Sequence, residues 1–149
     1  MFVKNKKMVR EYMYDFAKQG GAVSAITLEQ LDPNSVLPEG FLVEKVTVLC
    51  ETPLASGGTP TVTVGPAVDS DGYLADIYAL MGVAGAVVRS GEVAGALLWD
   101  DTNDHEITYR VGSAANTKDV VIQVGTAALT AGKLRVIVEG VYPSSRELE

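Results

Sequence analysis

The chain has 149 residues, with 12 basic and 19 acidic side chains, a formal charge of −7, and 47% hydrophobic and 21% charged residues. That length suits one domain, and that balance excludes both a disordered chain and a body built to bind nucleic acid. One cysteine, Cys50, and one histidine, His105, exclude an internal disulfide framework, a multi-cysteine zinc site and a His-pair metal site.

In chain order, positive charge comes first. Lys4, Lys6, Lys7 and Arg10 fall in the first ten residues with no acid among them, leaving 8 basic against 19 acidic groups in the remaining 139. They lead into Glu11-Tyr12-Met13-Tyr14-Asp15 rather than an apolar stretch, so no secretory signal is expected. With a lone thiol, the chain is expected to be made and folded in a reducing cytoplasm. Residues 4–18 read as a short helix or an extended arm, because Tyr12, Met13 and Phe16 recur at helical spacing. The expected division is an N-terminal arm over 1–20 and a β domain over 21–149.

Beyond residue 20 the apolar period is 2, and β-branched residues dominate, as half-buried strands require. Strands are expected at 22–28 and at 41–49, where Val46 and Val48 alternate with Lys45 and Thr47, and again around Val62 and Val64. Ser56-Gly57-Gly58-Thr59-Pro60 reads as a hairpin connection between the last two. Tyr73–Met81 lacks breakers and reads as a helical turn or two. Short strands follow at 86–89, 96–99 and 106–110. Val120, Ile122 and Val124 then share one face opposite Asp119, Val121 and Gln123. Thr130-Ala131-Gly132-Lys133 reads as a turn before the last strand, where Leu134, Val136 and Val138 oppose Lys133, Arg135, Ile137 and Glu139. About eight short strands define an all-β chain, an antiparallel β-sandwich or jelly roll. The longest nearly uncharged apolar stretch, residues 77–88, is 12 residues, short of the ~20 that span a bilayer as a helix.

Reactive groups do not cluster in this sequence. There is no Gly-x-Ser-x-Gly elbow, and Cys50 ends an alternating apolar run, where a cysteine serves as a small hydrophobe rather than a partner of His105. The glycines of residues 82–85 and 91–95 lack the spacing of a phosphate cradle and read as tight turns. Asp69-Ser70-Asp71-Gly72 starts like a calcium loop but has Leu74 and Leu80 where glycine and a bidentate glutamate belong. Asp100-Asp101-Thr102-Asn103-Asp104-His105-Glu106 reads as a solvated turn. No catalytic residue, metal ligand or cofactor site is expected.

Tyr14-Asp15-Phe16-Ala17-Lys18-Gln19-Gly20-Gly21-Ala22-Val23, followed by Ile26-Thr27-Leu28, resembles head-decoration and capsid-associated proteins of tailed bacteriophages. The blocks 56–65, 69–75 and 124–139 extend the resemblance over residues 12–142. It implies a virion structural protein on the outer head surface, made in the bacterial cytoplasm. Such a protein binds the major capsid protein and cements capsomers as a homotrimer, with no enzyme activity, nucleic acid, membrane or small-molecule substrate. The capsid-gripping role is assigned to the arm, through Lys4, Lys6, Lys7, Arg10, Tyr12, Tyr14 and Phe16. Deleting residues 2–13 is then expected to leave a folded oligomer that no longer sediments with capsids. The alternative is a head-fibre or tail-associated module that binds a host receptor or glycan through Trp99 and the 100–106 loop.

Overall fold

The computed structural model describes residues 6–31 and 36–143. Strands account for 48% of the chain and helix for 9%, arranged as an antiparallel β-sandwich. The larger sheet is built on three long strands: β1 (Lys6–Asp15), β4 (Leu42–Ser56) and β11 (Leu129–Tyr142). Two short strands, β3 (Glu29–Gln30) and β6 (Val87–Arg89), complete the order β3-β1-β11-β4-β6, and β9 (Tyr109–Arg110) pairs the start of β4. The smaller sheet has the order β2-β10-β5, from Ala25–Thr27, Val121–Gly125 and Thr61–Gly65. A two-stranded ribbon, β7 (Trp99–Asp100) and β8 (His105–Glu106), stands apart from both sheets.

Alternation along the long strands sets the core. Tyr12 opposes Val136, Val136 opposes Val48, and Val48 opposes Val88, so one row of buried side chains crosses four strands. The row of Tyr14, Leu134 and Cys50 lies beside it. Val62, Val64, Ile122 and Val124 of the smaller sheet belong to the same hydrophobic cluster. Val121, expected on the outer side of its strand, is buried as well. Ser90 is the one buried polar residue among those described, and its Oγ accepts from the Val46 amide at 3.1 Å.

Several sequence expectations change here. Residues 6–15 are neither a helix nor a separate arm, because they pair with β11 over ten registered positions and with β3 on the other side. A strand flanked on both sides belongs to the sheet. The helix that does form, α1 (Phe16–Gln19), is a single turn after β1, capped by Asp15 Oδ1 accepting from the Ala17 amide at 3.0 Å. The Gln19 Nε2 donates to the Thr27 carbonyl at 2.7 Å, tying that turn to the smaller sheet.

Ser56–Pro60 is not a hairpin turn, since β4 and β5 lie in different sheets and the segment carries the chain between them. Thr130–Lys133 lies inside β11, where register shifts between Leu129 and Leu134 mark irregular pairing with β4. Gly132 takes φ 140°, and a Cβ there would strike the Leu54 side chain. A tight turn comes earlier, where Thr126 takes φ 72° after β10 and the Ala127 amide donates to the Gly125 carbonyl at 2.8 Å. The expected helical stretch at 73–81 shrinks to one 3₁₀ turn, Tyr78–Met81, and a second helical turn, α2 (Ala115–Lys118), has no counterpart in the sequence reading.

Candidate assembly surface

The outward rows of the larger sheet follow from the same alternation. Val9, Glu139 and Lys45 form one row; Glu11, Ile137, Thr47 and Arg89 form the next; Met13, Arg135, Leu49 and Val87 form the third. Two irregularities in β4 add acids to this face. Glu44 and Lys45 are both exposed between buried Val43 and Val46, at a register shift opposite Glu139 and Gly140. Glu51 sits at a second shift, between Cys50 and Thr52, beside Arg135.

Four cations on this face have carboxylate partners. The Arg135 Nε donates to Glu51 Oε2 at 2.7 Å and its NH1 to Glu11 Oε1 at 3.1 Å, so one guanidinium joins β1, β11 and β4. The two carboxylates, Glu51 foremost, hold its pKa above the ordinary arginine value. Lys45 meets Glu139 at 3.5 Å, Lys7 meets Glu44 at 3.8 Å, and Arg89 meets Glu92 at 3.9 Å. Apolar side chains fill the spaces between. Leu49, Ile137 and Val141 are half-buried, while Val9 is 49% and Val87 45% exposed.

The residues expected to grip a capsid divide by direction. Tyr12 and Tyr14 are core residues, and the Tyr14 Oη donates to the Gly20 carbonyl at 2.6 Å. Burial, with a smaller contribution from Asp15, pushes the Tyr14 hydroxyl up to about 12. Phe16 packs against the core, and Arg10 lies on the inward side of β1 with a buried Nε, its NH1 donating to the Val9 carbonyl. Among the described side chains of the seven, Lys7 is the exposed one, at 68%, while Arg10 and Phe16 are partly covered. Lys4 and the Lys6 side chain lie outside the described residues.

The acidic loop is a self-contained turn. Asp100 Oδ1 accepts from the Thr102 and Asn103 amides at 2.9 and 3.2 Å, and its Oδ2 accepts from Asn103 Nδ2 at 2.8 Å. These bonds, the Asn103 side chain first, hold its carboxyl below the usual range. His105 is exposed on this ribbon, 3.7 Å from Asp100 Oδ2, whereas Cys50 is buried and its Sγ donates to the Met81 carbonyl at 3.3 Å. Burial raises the Cys50 pKa further. Thiol and imidazole therefore engage separate partners.

The 69–72 block and the 91–95 glycines turn out to be one packing device. A Cβ on Gly95 would strike Asp71 O and Gly72, and one on Gly72 would strike Leu97, so the two loops meet backbone to backbone. Asp71 also shares a hydrogen bond with the Asp69 carboxyl, which raises the Asp69 pKa. Among the described residues, no three His, Cys, Asp or Glu side chains converge as a metal site, and no helix is long and apolar enough to cross a membrane. Open depressions of about 450, 340 and 310 Å³ lie beside Glu44 and Glu106, beside Trp99 and Glu92, and beside Arg110 and Tyr142.

Sheets, ion-paired strands and shallow depressions define an antiparallel β-sandwich whose most organised surface is a sheet face. No protein-family model matches the chain, and no curated protein does. Among solved structures it is similar to a chain of the cyanophage Pam1 capsid asymmetric unit, with a TM-score of 0.63 and 21% identity, over 93% of this chain and 86% of that one. A chain from the acid-stable capsid of Helicobacter pylori bacteriophage KHP30 also matches, at 18% identity over 95% of each chain, with a TM-score of 0.45. The Pam1 likeness establishes a shared fold.

The ion-paired face was only half visible in the sequence. Alternation placed Arg135 and Glu139 outward, but their partners on β1 and β4 depend on register and bulges that carry no local signal.

Proposed function

We propose that the chain is a bacteriophage virion structural protein that binds the outer capsid surface and stabilises capsomer contacts as a homo-oligomer, a trimer at three-fold positions. The observation that carries this reading is the fold shared, nearly end to end, with a chain of the Pam1 capsid asymmetric unit. Its physical logic is that of a scaffold. Long paired strands give rigidity, and closed symmetry multiplies a weak per-subunit grip because each further contact becomes intramolecular.

The grip on the shell is assigned to the basic start, Lys4, Lys6 and Lys7, ahead of the core positions of β1. Arg10, Tyr12, Tyr14 and Phe16 support that segment from below, by anchoring the strand that presents it. The purified chain, mixed with capsids from a phage lacking its gene, should co-sediment with them, and electron microscopy should place it outside the head. A Lys4→Glu/Lys6→Glu variant should fold normally and lose that binding. A chain absent from the head, or located on the tail, would overturn the proposal.

A further inference from the structure

We propose that the outward face of β1, β11, β4 and β6 is the surface on which a second copy of this chain docks. Its composition argues for that occupant. Lys45, Arg89, Lys133 and Arg135 stand on it against Glu11, Asp15, Glu51 and Glu139, so these rows are close to neutral while the chain carries −7. Two copies of an acidic chain repel through most of their surfaces, and this face is where they can approach without that penalty. A strongly charged partner would instead be steered to or from the acidic loops around 69–76 and 100–106.

The apolar content matches. Val9 and Val87 are exposed at opposite sides of the face, and Leu49, Ile137 and Val141 lie half-covered between the charged side chains. Scattered exposed valines are ordinary, but these lie in adjoining registered rows. Three long strands at ~4.8 Å spacing and about seven residues of length, with the three residues of β6 beside them, give about 400 Å² in projection, before side-chain relief is counted. That is on the scale of the roughly 800 Å² of accessible surface each partner contributes to a standard interface. The ion pairs of Lys45, Arg89 and Arg135 can also exchange partners between copies.

This inference rests on the proposed function only for its expectation of self-association, and the two are tested separately. Light scattering of the purified full chain across a concentration series should give a whole multiple of the chain mass. The double variant Val9→Lys/Val87→Lys, at two exposed positions, should raise the dissociation constant at least about a hundredfold through like-charge repulsion at the contact. Ile137→Lys should do the same, and Val68→Lys, exposed in the loop after β5, should leave the mass unchanged. Circular dichroism confirms that each variant is folded, and the double variant decides the matter if Ile137→Lys is not. A monomeric parent chain, or an unchanged mass in the folded double variant, would overturn the assignment. Failure of the oligomeric parent chain to bind capsids would count against the capsid role and leave this face as the self-association surface.

Discussion

Arg135 and Glu51 meet across β11 and β4 at 2.7 Å, at the register shift that turns Glu51 outward beside the guanidinium. The same guanidinium reaches Glu11, 124 residues away in sequence, so one side chain fastens the first long strand to the last two. Arg135 is a third exposed and the carboxylates comparable, so solvent screening keeps each pair modest. Arg135→Ala should destabilise the chain by about 1 kcal/mol in urea unfolding, and a double-mutant cycle with Glu51→Ala should show coupling below that. Arg135→Lys should not restore the stability, since one ammonium cannot serve both carboxylates in the same plane.

Deleting residues 2–13 removes most of β1, including buried Tyr12, and exposes the flank of β11. The expected result is an unfolded or aggregating product, seen as loss of the cooperative melting transition. A folded product would mean that the ladder between β1 and β11 is dispensable. Deleting only residues 2–5 spares every described strand and is the truncation that tests capsid binding.

Tyr14→Phe removes the hydroxyl that donates to the Gly20 carbonyl and leaves the ring in place. It should cost about 1 kcal/mol, whereas Tyr14→Ala should cost about 3–5 kcal/mol by opening a cavity in the sheet core. Chemical denaturation of the two variants separates the bond from the packing.

Burial and the bond to the Met81 carbonyl keep Cys50 a protonated, inert thiol. A raised thiol pKa means less thiolate at neutral pH, and thiolate is the reactive form. A thiol reagent should label the native chain only at the rate of unfolding and label it at once in denaturant. Rapid native labelling would place Cys50 outside the core.

Asp69, hydrogen-bonded to Asp71, gives a pH signature of the opposite sign to an ordinary ion pair. The folded Asp69 pKa is raised, so its protonated form is favoured in the native state, and its contribution is greatest below the ordinary carboxyl value and declines as pH rises through the folded value. Asp71→Asn should therefore raise the melting temperature at neutral pH, with the gain shrinking in acid. Asp100 runs the other way. Its depressed pKa stabilises the loop above the ordinary carboxyl value, and that contribution is lost as pH falls through the lowered folded value.

Local alternation made the all-β class and the buried sides of β4, β5 and β11 legible, because a side chain's face in a strand depends only on its parity and neighbours. Cys50 as a core thiol and the acidic 100–106 stretch as a turn followed from the same local chemistry. The fate of residues 6–15 did not. Tyr12, Met13 and Phe16 fit a helical stripe, while Tyr12 and Tyr14 fit a strand, and a segment with both periods is decided by what it meets. Here the edge of β11 was available along ten positions, and only the tertiary structure supplies that partner. The same holds for the bulges at Glu44 and Glu51, for the irregular pairing around Gly132, and for the meeting of Gly72 with Gly95. Each is a relation between segments distant in sequence, so no window of residues contains it.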